Sequence, residues 1–139
     1  MPRTQPVLGA VGIAVSNLNV SMDFYTKVLP FVDTGVSYDL PQFLEKVVAL
    51  PAPNSGSSVV LMQWKTPRNT TNIPVKLALY VEDVHESMEK VRAYGNEILL
   101  EAGSGRIGTV SLPTGMARDP DGYILEFNPL SILSPKQAL

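Results

Sequence analysis

The chain has 139 residues, of which 45% are hydrophobic and 17% charged, and its formal net charge is −2. This balance predicts one globular domain and excludes a disordered chain. The 11 basic and 13 acidic residues are interspersed, so no basic stripe is available for a phosphate backbone and we expect no nucleic-acid partner. The absence of cysteine excludes disulfides and thiolate chemistry, and a reducing cytoplasm is the default location.

The first half of the chain opens with an apolar segment at 7–15, which predicts a strand. Asn17 then caps a predicted helix whose apolar stripe is formed by Val20, Phe24 and Val28. Shorter apolar runs at 31–38, 47–50 and 59–64 predict three more strands. Residues 39–43 read as a loop between two of them, with Phe43 as a lid residue over a pocket.

A polar linker at 65–73 contains Arg68 and leads to the second half, which repeats the same order. The segment 75–81 predicts a strand, and Asp83 with Glu86 three residues later resembles a capping box. Val84, Met88 and Val91 form the apolar stripe of the helix, which Gly95 ends. The remaining strands are predicted at 97–101, 109–112 and 123–127.

The two halves match at an offset of 66 residues, which places Val15-Ser16-Asn17-Leu18 on Val81-Glu82-Asp83-Val84. We therefore predict a single α+β domain over 1–139, built from two βαβββ modules at about 7–64 and 74–130. Together they form a curved mixed sheet around a cleft, with the helices on the outer face. Because one helix cannot cover both faces of its sheet, the modules share surfaces within a chain or across a homodimer. No apolar run approaches the roughly 20 residues that span a bilayer, so we expect no membrane partner.

Two segments carry a family resemblance: Gly12-Ile13-Ala14-Val15-Ser16-Asn17-Leu18 near the start and Asp119-Pro120-Asp121-Gly122-Tyr123-Ile124-Leu125-Glu126 near the end. In this order, and with the internal repeat, they resemble the vicinal oxygen chelate superfamily, which includes glyoxalase I and bleomycin-resistance proteins. The resemblance covers nearly the whole chain and implies the same two-module fold.

The resemblance also implies four metal-ligand positions, two in each module. By register these positions are Ala10, Val60, Lys76 and Glu126, and only Glu126 offers an ordinary metal ligand. The one histidine, His85, falls inside the second predicted helix, where a solvated surface explains it best. We therefore predict no metal and no cofactor.

The remaining cleft is predicted from the alternation of side chains along a strand. Residues at every second position from the four metal-ligand positions point to the same side of their strands. They give a mostly apolar lining suited to a small apolar organic molecule. The predicted substrate-binding residues are Lys76, Tyr80, Val60, Met62, Trp64, Ala10, Asn128 and Phe43. Tyr80 and Trp64 serve there as shape-defining surface or as hydrogen-bonding groups, and Arg68 of the linker is a candidate contact for an anionic substrate.

Glu126 is the predicted catalytic residue. Apolar surroundings raise the pKa of a carboxyl group and favour general acid–base chemistry, whereas the alternative role for Glu126 is an ion pair with Lys76. Three functions follow. The first is a metal-independent isomerase or lyase with Glu126 as acid/base, and the second is a non-catalytic protein that sequesters a drug or metabolite. The third, a metal-dependent lactoylglutathione lyase, fits the residues least well.

Overall fold

The structure is a computed structural model that describes residues 8–53, 57–70 and 73–132. The described residues divide into two compact units. Unit 1 contains residues 8–26 and 30–68, and unit 2 contains residues 27–29 and 69–132. Each unit has a helix and a four-stranded sheet, which confirms the predicted α+β class with two βαβββ modules.

Unit 1 contains a mixed sheet with the strand order β1-β4-β3-β2, in which β1 and β4 are parallel and the other neighbours antiparallel. Its elements are β1 (Ala10–Ala14), α1 (Leu18–Lys27), β2 (Val32–Asp39), β3 (Phe43–Ala49) and β4 (Ser58–Trp64).

Unit 2 repeats this arrangement with the strand order β5-β10-β9-β6, and a separate two-stranded hairpin is formed by β7 and β8. Its elements are β5 (Lys76–Val81), α2 (Val84–Tyr94), β6 (Ile98–Leu100), β7 (Arg106–Ile107), β8 (Val110–Ser111), β9 (Gly115–Arg118) and β10 (Ile124–Pro129), followed by a 3-10 turn at Leu130–Ile132. In the three described ranges, no helix combines the length and the apolar character needed to span a bilayer.

The 66-residue offset is reproduced in the hydrogen-bonded register of the parallel strands. Ala10 pairs with Ser58 in unit 1, and Lys76 pairs with Ile124 in unit 2, each residue lying 66 positions after its counterpart. The helices begin at Leu18 and Val84, again 66 positions apart. The sequence repeat therefore reflects the first strand (β1 and β5), the helix and the last strand (β4 and β10) of each module.

The third strand of unit 2 was predicted wrongly. Residues 109–112 do not pair with the main sheet, because Val110–Ser111 forms the small hairpin with Arg106–Ile107. The strand that pairs with β10 is instead Gly115–Arg118, which the sequence analysis did not predict. Phe43 was also misplaced: it begins β3 opposite Trp64, so it is a strand residue and not part of a loop lid.

The caps of both helices follow the predicted local chemistry. The Asn17 side chain accepts a hydrogen bond from the Val20 N–H at 3.1 Å, and the Asp83 side chain accepts one from the Glu86 N–H at 3.0 Å. Gly95 ends α2 in the left-handed conformation with φ 97°, where a side chain would be strained.

The predicted apolar stripe is buried in part for α1, where Phe24 and Val28 are buried, and completely for α2. Its predicted stripe of Val84, Met88 and Val91 is buried. In α1, Val20 is 40% exposed, so its place in the predicted stripe is wrong. The residues that α1 buries are Leu18, Ser21, Phe24 and Tyr25.

Each sheet has one face packed into the core of its unit. Val59 and Leu61 of β4 are buried in unit 1, and Leu125 and Phe127 of β10 are buried in unit 2. Because neighbouring side chains on a strand point to opposite faces, the residues between them lie on the opposite face of each sheet. These opposite faces carry the predicted site residues.

Candidate functional site

The outward face of unit 2 is built on the parallel strands β5 and β10. The side chains that share the parity of Glu126 alternate with the buried Leu125 and Phe127, which places them on this face. They are Lys76, Ala78 and Tyr80 of β5 and Ile124, Glu126 and Asn128 of β10. Five of the six predicted site and lining positions in this set are at least partly exposed, and Asn128 is buried.

Glu126 and Lys76 form an ion pair on this face, with 3.4 Å between Lys76 Nζ and Glu126 Oε1. The Glu126 side chain is only 16% exposed, whereas that of Lys76 is 50% exposed. The residue directly opposite Glu126 in the parallel register is Ala78, and the small methyl group leaves room for Lys76 to reach across. The contact matches the ion-pair alternative stated for Glu126.

The second carboxylate oxygen of Glu126 is held by a short chain of hydrogen bonds. Asn128 Nδ2 donates to Glu126 Oε2 at 3.1 Å, and the Thr114 hydroxyl donates to Asn128 Oδ1 at 2.7 Å. This arrangement fixes the orientation of the Asn128 amide, since its oxygen accepts from Thr114 and its nitrogen donates to Glu126. The carboxylate therefore has a polar partner on each oxygen and a defined position on the sheet.

The outward face of unit 1 is apolar along β1 and β4. Gly12 pairs with Val60 and Ala14 with Met62, so these residues and Ala10 share one face. The Met62 thioether lies so close to Gly12 that a Cβ atom there would be 3.0 Å from Met62 Cε. These five residues offer packing surface and no ionisable group.

An aromatic cluster closes this face at the end of β4. Phe43 and Trp64 are paired across β3 and β4, and their ring centroids are 4.8 Å apart with planes tilted by 56°. The guanidinium carbon of Arg68 lies 4.2 Å from the centroid of the Trp64 ring. The structure thus brings together Phe43 and Trp64, two predicted site residues, with the linker residue Arg68.

Glu45 and Thr114 were not predicted as site residues. Glu45 lies opposite Met62 in the β3–β4 pair and therefore shares the outward face of unit 1. The predicted strand began at residue 47, so Glu45 lay outside it and was not assigned to a face of the sheet. Thr114 immediately precedes β9, the strand that was not predicted. A hydrophobic-periodicity signal for β9 is weak because its four residues include Gly115 and Arg118.

A groove in unit 1 lies on the helix-covered side of the sheet, where Lys46 pairs with the buried Leu61. None of the predicted site residues contributes to it. It is lined by Asn19, Met22, Asp23, Thr26, Asp33 and Lys46.

The four positions that correspond to metal ligands do not provide a suitable donor set. Ala10 and Val60 have hydrocarbon side chains, and the remaining two form an ion pair in which the Lys76 ammonium lies against the Glu126 carboxylate. A divalent ion requires anionic or neutral donors around it, so a lysine beside the one carboxylate opposes binding. Among the described residues, no three His, Cys, Asp or Glu side chains are placed to share an ion. His85 lies exposed on α2.

The comparisons with known proteins identify the family. A family model described as the Glyoxalase/Bleomycin resistance protein/Dioxygenase superfamily matches residues 7–127. A lactoylglutathione lyase of Neisseria meningitidis is 31% identical over 123 residues, which cover 83% of this chain and 84% of that protein.

Two solved structures show the same fold at low sequence identity. A variant of glyoxalase I from maize (Zea mays) is 20% identical with a TM-score of 0.71, and the match covers 86% of this chain but only 43% of the maize chain. TnmS3, an antibiotic binding protein from Streptomyces, is 19% identical with a TM-score of 0.67, and the match covers 92% of this chain and 98% of TnmS3. The resemblance read from the two sequence segments is confirmed: this chain belongs to the Glyoxalase/Bleomycin resistance protein/Dioxygenase superfamily.

Proposed function

We propose that this protein binds a compact, largely apolar organic molecule and performs metal-independent isomerase or lyase chemistry on it, with Glu126 as the acid/base. The observation that carries the proposal is the Glu126 carboxylate, held on the outward sheet face of unit 2 by Lys76 and Asn128. It occupies one of the four positions where the family resemblance implies a ligand, while the other three positions have no ordinary donor.

The ion pair is suited to a proton transfer from a substrate carbon atom to Glu126. In an isomerisation, the Glu126 carboxylate takes a proton from a carbon atom next to a carbonyl group, and the electron pair moves to the carbonyl oxygen. The Lys76 ammonium, 3.4 Å from the carboxylate, is placed to stabilise that developing negative charge. For an α-hydroxy carbonyl compound, Glu126 then returns the proton to the former carbonyl carbon, and the hydroxyl proton on the first carbon moves to the former carbonyl oxygen. The hydroxyl and carbonyl groups thereby exchange places, and no external reagent is consumed.

The test measures proton abstraction without requiring the product to be known. Small α-hydroxy and α-keto carbonyl compounds are incubated with the protein in heavy water, and loss of the C–H proton signal is followed by NMR. A positioned general base contributes roughly 10²–10⁴-fold, so Glu126→Gln should slow exchange by at least about 100-fold. Prior treatment with a chelator should leave the rate of the unsubstituted protein unchanged.

A matched control is available on the outer surface of α2. Glu86 also pairs with a lysine, Lys90, at 3.5 Å, but it lies on a helix and not on the sheet face. Glu86→Gln removes the same charge from the same kind of pair, and glutamine suits the first helical turn equally well. Exchange by this variant should equal that of the unsubstituted protein. Loss of exchange on chelation, with recovery after adding nickel or zinc, would refute the metal-independent mechanism.

The second candidate function is sequestration of a drug or metabolite without turnover. It is favoured by the partners of Glu126, since both carboxylate oxygens already accept hydrogen bonds from this chain. The fold shared with an antibiotic binding protein is consistent with it. Under this function Glu126→Gln changes no exchange rate, because the unsubstituted protein produces none, and ligand binding is retained.

We also propose a homodimer and a cytoplasmic location. The homodimer proposal is supported by the βαβββ architecture, in which a single helix covers one face of each sheet. Light scattering during size-exclusion chromatography would distinguish a monomer of 15.1 kDa from a particle of twice that mass.

A further inference from the structure

Arg68 lies over the Trp64 ring at the edge of the unit 1 face. Its guanidinium carbon lies 4.2 Å from the centroid of the Trp64 ring. At this distance the guanidinium lies over the ring face in a cation–π contact, which favours its place at this border. Because the guanidinium is a planar fork of N–H donors, it is suited to a planar acceptor such as a carboxylate.

Arg68 differs from the arginines of unit 2 that carry carboxylate partners. Arg92 pairs with Glu89 and Glu101, and Arg118 pairs with Glu97. Over the ranges that the structure describes, Arg68 forms no ion pair with an aspartate or glutamate, and its only recorded partner is the Trp64 ring. The Arg68 guanidinium therefore retains its capacity to bind an external anion.

The surface next to Arg68 carries apolar and aromatic side chains, with Glu45 opposite Met62 on the same face. Phe43 lies 4.8 Å from Trp64 between ring centroids, and Met62 precedes Trp64 by two residues on the same face of β4. All three side chains are partly exposed. A hydrocarbon body that packs on this surface would place an attached charged group at its border, beside Arg68.

We infer that the ligand of unit 1 is an organic carboxylate, with an apolar body on Phe43, Trp64 and Met62 and a carboxylate that accepts two hydrogen bonds from Arg68. The paired N–H groups of a guanidinium match the two oxygens of a carboxylate, and such charge-assisted pairs are stronger than neutral ones. This inference rests on the binding part of the proposed function and names the ligand class. It does not require Glu126 to be catalytic.

Trp64 provides the readout, because it is the only tryptophan in the chain. The probes are 3-phenylpropanoate and its uncharged analogue 3-phenylpropanamide, which have the same body. Excitation at the red edge of indole absorption avoids their absorption, and each is titrated while the Trp64 emission is followed. A fragment of this size is expected to bind with a Kd of about millimolar order, and the carboxylate should bind about tenfold more tightly than the amide.

Three variants assign this difference to Arg68. Arg68→Met keeps an apolar side chain on the ring and should weaken carboxylate binding about tenfold, to the level of the amide, without changing amide binding. Arg68→Lys should retain only part of the preference, since a lysine lacks the planar fork. Arg106→Met is the matched control: Arg106 is exposed on β7 of unit 2 and likewise has no recorded carboxylate partner among the described residues, and its loss should change neither Kd.

Three outcomes would overturn the inference: equal Kd values for the carboxylate and the amide, equal weakening by Arg106→Met and Arg68→Met, or no response of Trp64 to either probe. Titration of the Glu126→Gln variant with both probes, together with its proton-exchange rate, separates this inference from the proposed chemistry. If Glu126→Gln retains full proton exchange while the carboxylate preference persists, the acid–base proposal fails and the ligand class stands. If exchange is lost in Glu126→Gln but carboxylate and amide bind alike, the ligand class fails alone.

Discussion

The turn before β10 gives the sharpest stability prediction, and it concerns Asp119. This residue is 3% exposed, and its Oδ1 atom accepts hydrogen bonds from the backbone N–H groups of Asp121 and Tyr123, each at 2.9 Å. Both donors belong to buried residues. Asp119→Ala removes the acceptor, and there is little solvent access to replace it.

The expected loss follows from two hydrogen bonds to a charged acceptor. Each contributes about 1.5–3 kcal/mol, so Asp119→Ala should lower the free energy of unfolding by about 3–6 kcal/mol. For a chain of this length, a loss of 1 kcal/mol lowers Tm by about 3 °C, which gives a total decrease of about 10–20 °C. Asp119→Asn keeps a carbonyl acceptor and should lose about 1–2 kcal/mol.

Urea unfolding, followed by circular dichroism, measures these free energies. Asp83→Ala is the comparison, because Asp83 caps α2 through one hydrogen bond, to the Glu86 N–H, that is exposed. Its loss should cost about 1 kcal/mol. If Asp119→Ala were no more destabilising than Asp83→Ala, the carboxylate of Asp119 would not be the buried acceptor described above, and the structural explanation of this sequence motif would be wrong.

Two further substitutions test close contacts within each unit. Gly115→Ala should lower stability by about 1–3 kcal/mol, because a Cβ atom there would lie 2.7 Å from the buried Met88 Sδ, whereas Gly9→Ala, with no heavy atom within 4 Å, should be neutral in the same urea titration. Gln63→Leu removes the side-chain oxygen that accepts from the Leu18 N–H at 2.7 Å and should cost about 1–2 kcal/mol, while Gln63→Glu, which keeps an acceptor, should restore most of the loss.

Local signals predicted the helix ends well because each depends on a few neighbouring residues. Asp83 satisfies a backbone donor three residues later, and Gly95 adopts a conformation that other residues avoid. The buried face of α1 was less predictable. The helix buries Ser21 and exposes Val20, so its buried side includes a small polar residue beside Phe24 and Tyr25. Hydrophobic periodicity alone favoured the valine.

The middle strand of unit 2 shows where local propensity fails. Residues 109–112 contain Val110 and suit a strand, and they do form one, but in a small hairpin next to the sheet. The strand that completes the sheet, Gly115–Arg118, has no β-branched residue. Its position is fixed by pairing with β10 and β6 and by the close packing of Gly115 against Met88, and the contacts with β6 and Met88 are distant in sequence.

The alternation of side chains predicted which residues share a face, but not which of them touch. Parity placed Lys76, Glu126 and Asn128 together, and the structure has all three in contact through Glu126. The support from Thr114 was invisible in the sequence, because it depends on the unpredicted strand β9. The alternation of side chains along β5 and β10 was therefore enough to predict the first three members of the network. The contact of Thr114 with Asn128 could not be predicted in this way.

The parallel register explains why the two units offer different chemistry on the same frame. Gly12 lies opposite Val60 in unit 1, and Ala78 lies opposite Glu126 in unit 2 at the equivalent position. A small residue lies opposite the key position in both units, and in unit 1 the Met62 thioether packs over it. In unit 2 Lys76 reaches across the small residue and neutralises the carboxylate. In unit 1 the strands β1 and β4 introduce no charge, and Glu45 of the neighbouring β3 is the carboxylate described on that face. A slip of one residue in either pair would turn these side chains into the core, so the register itself fixes where the chemistry can occur.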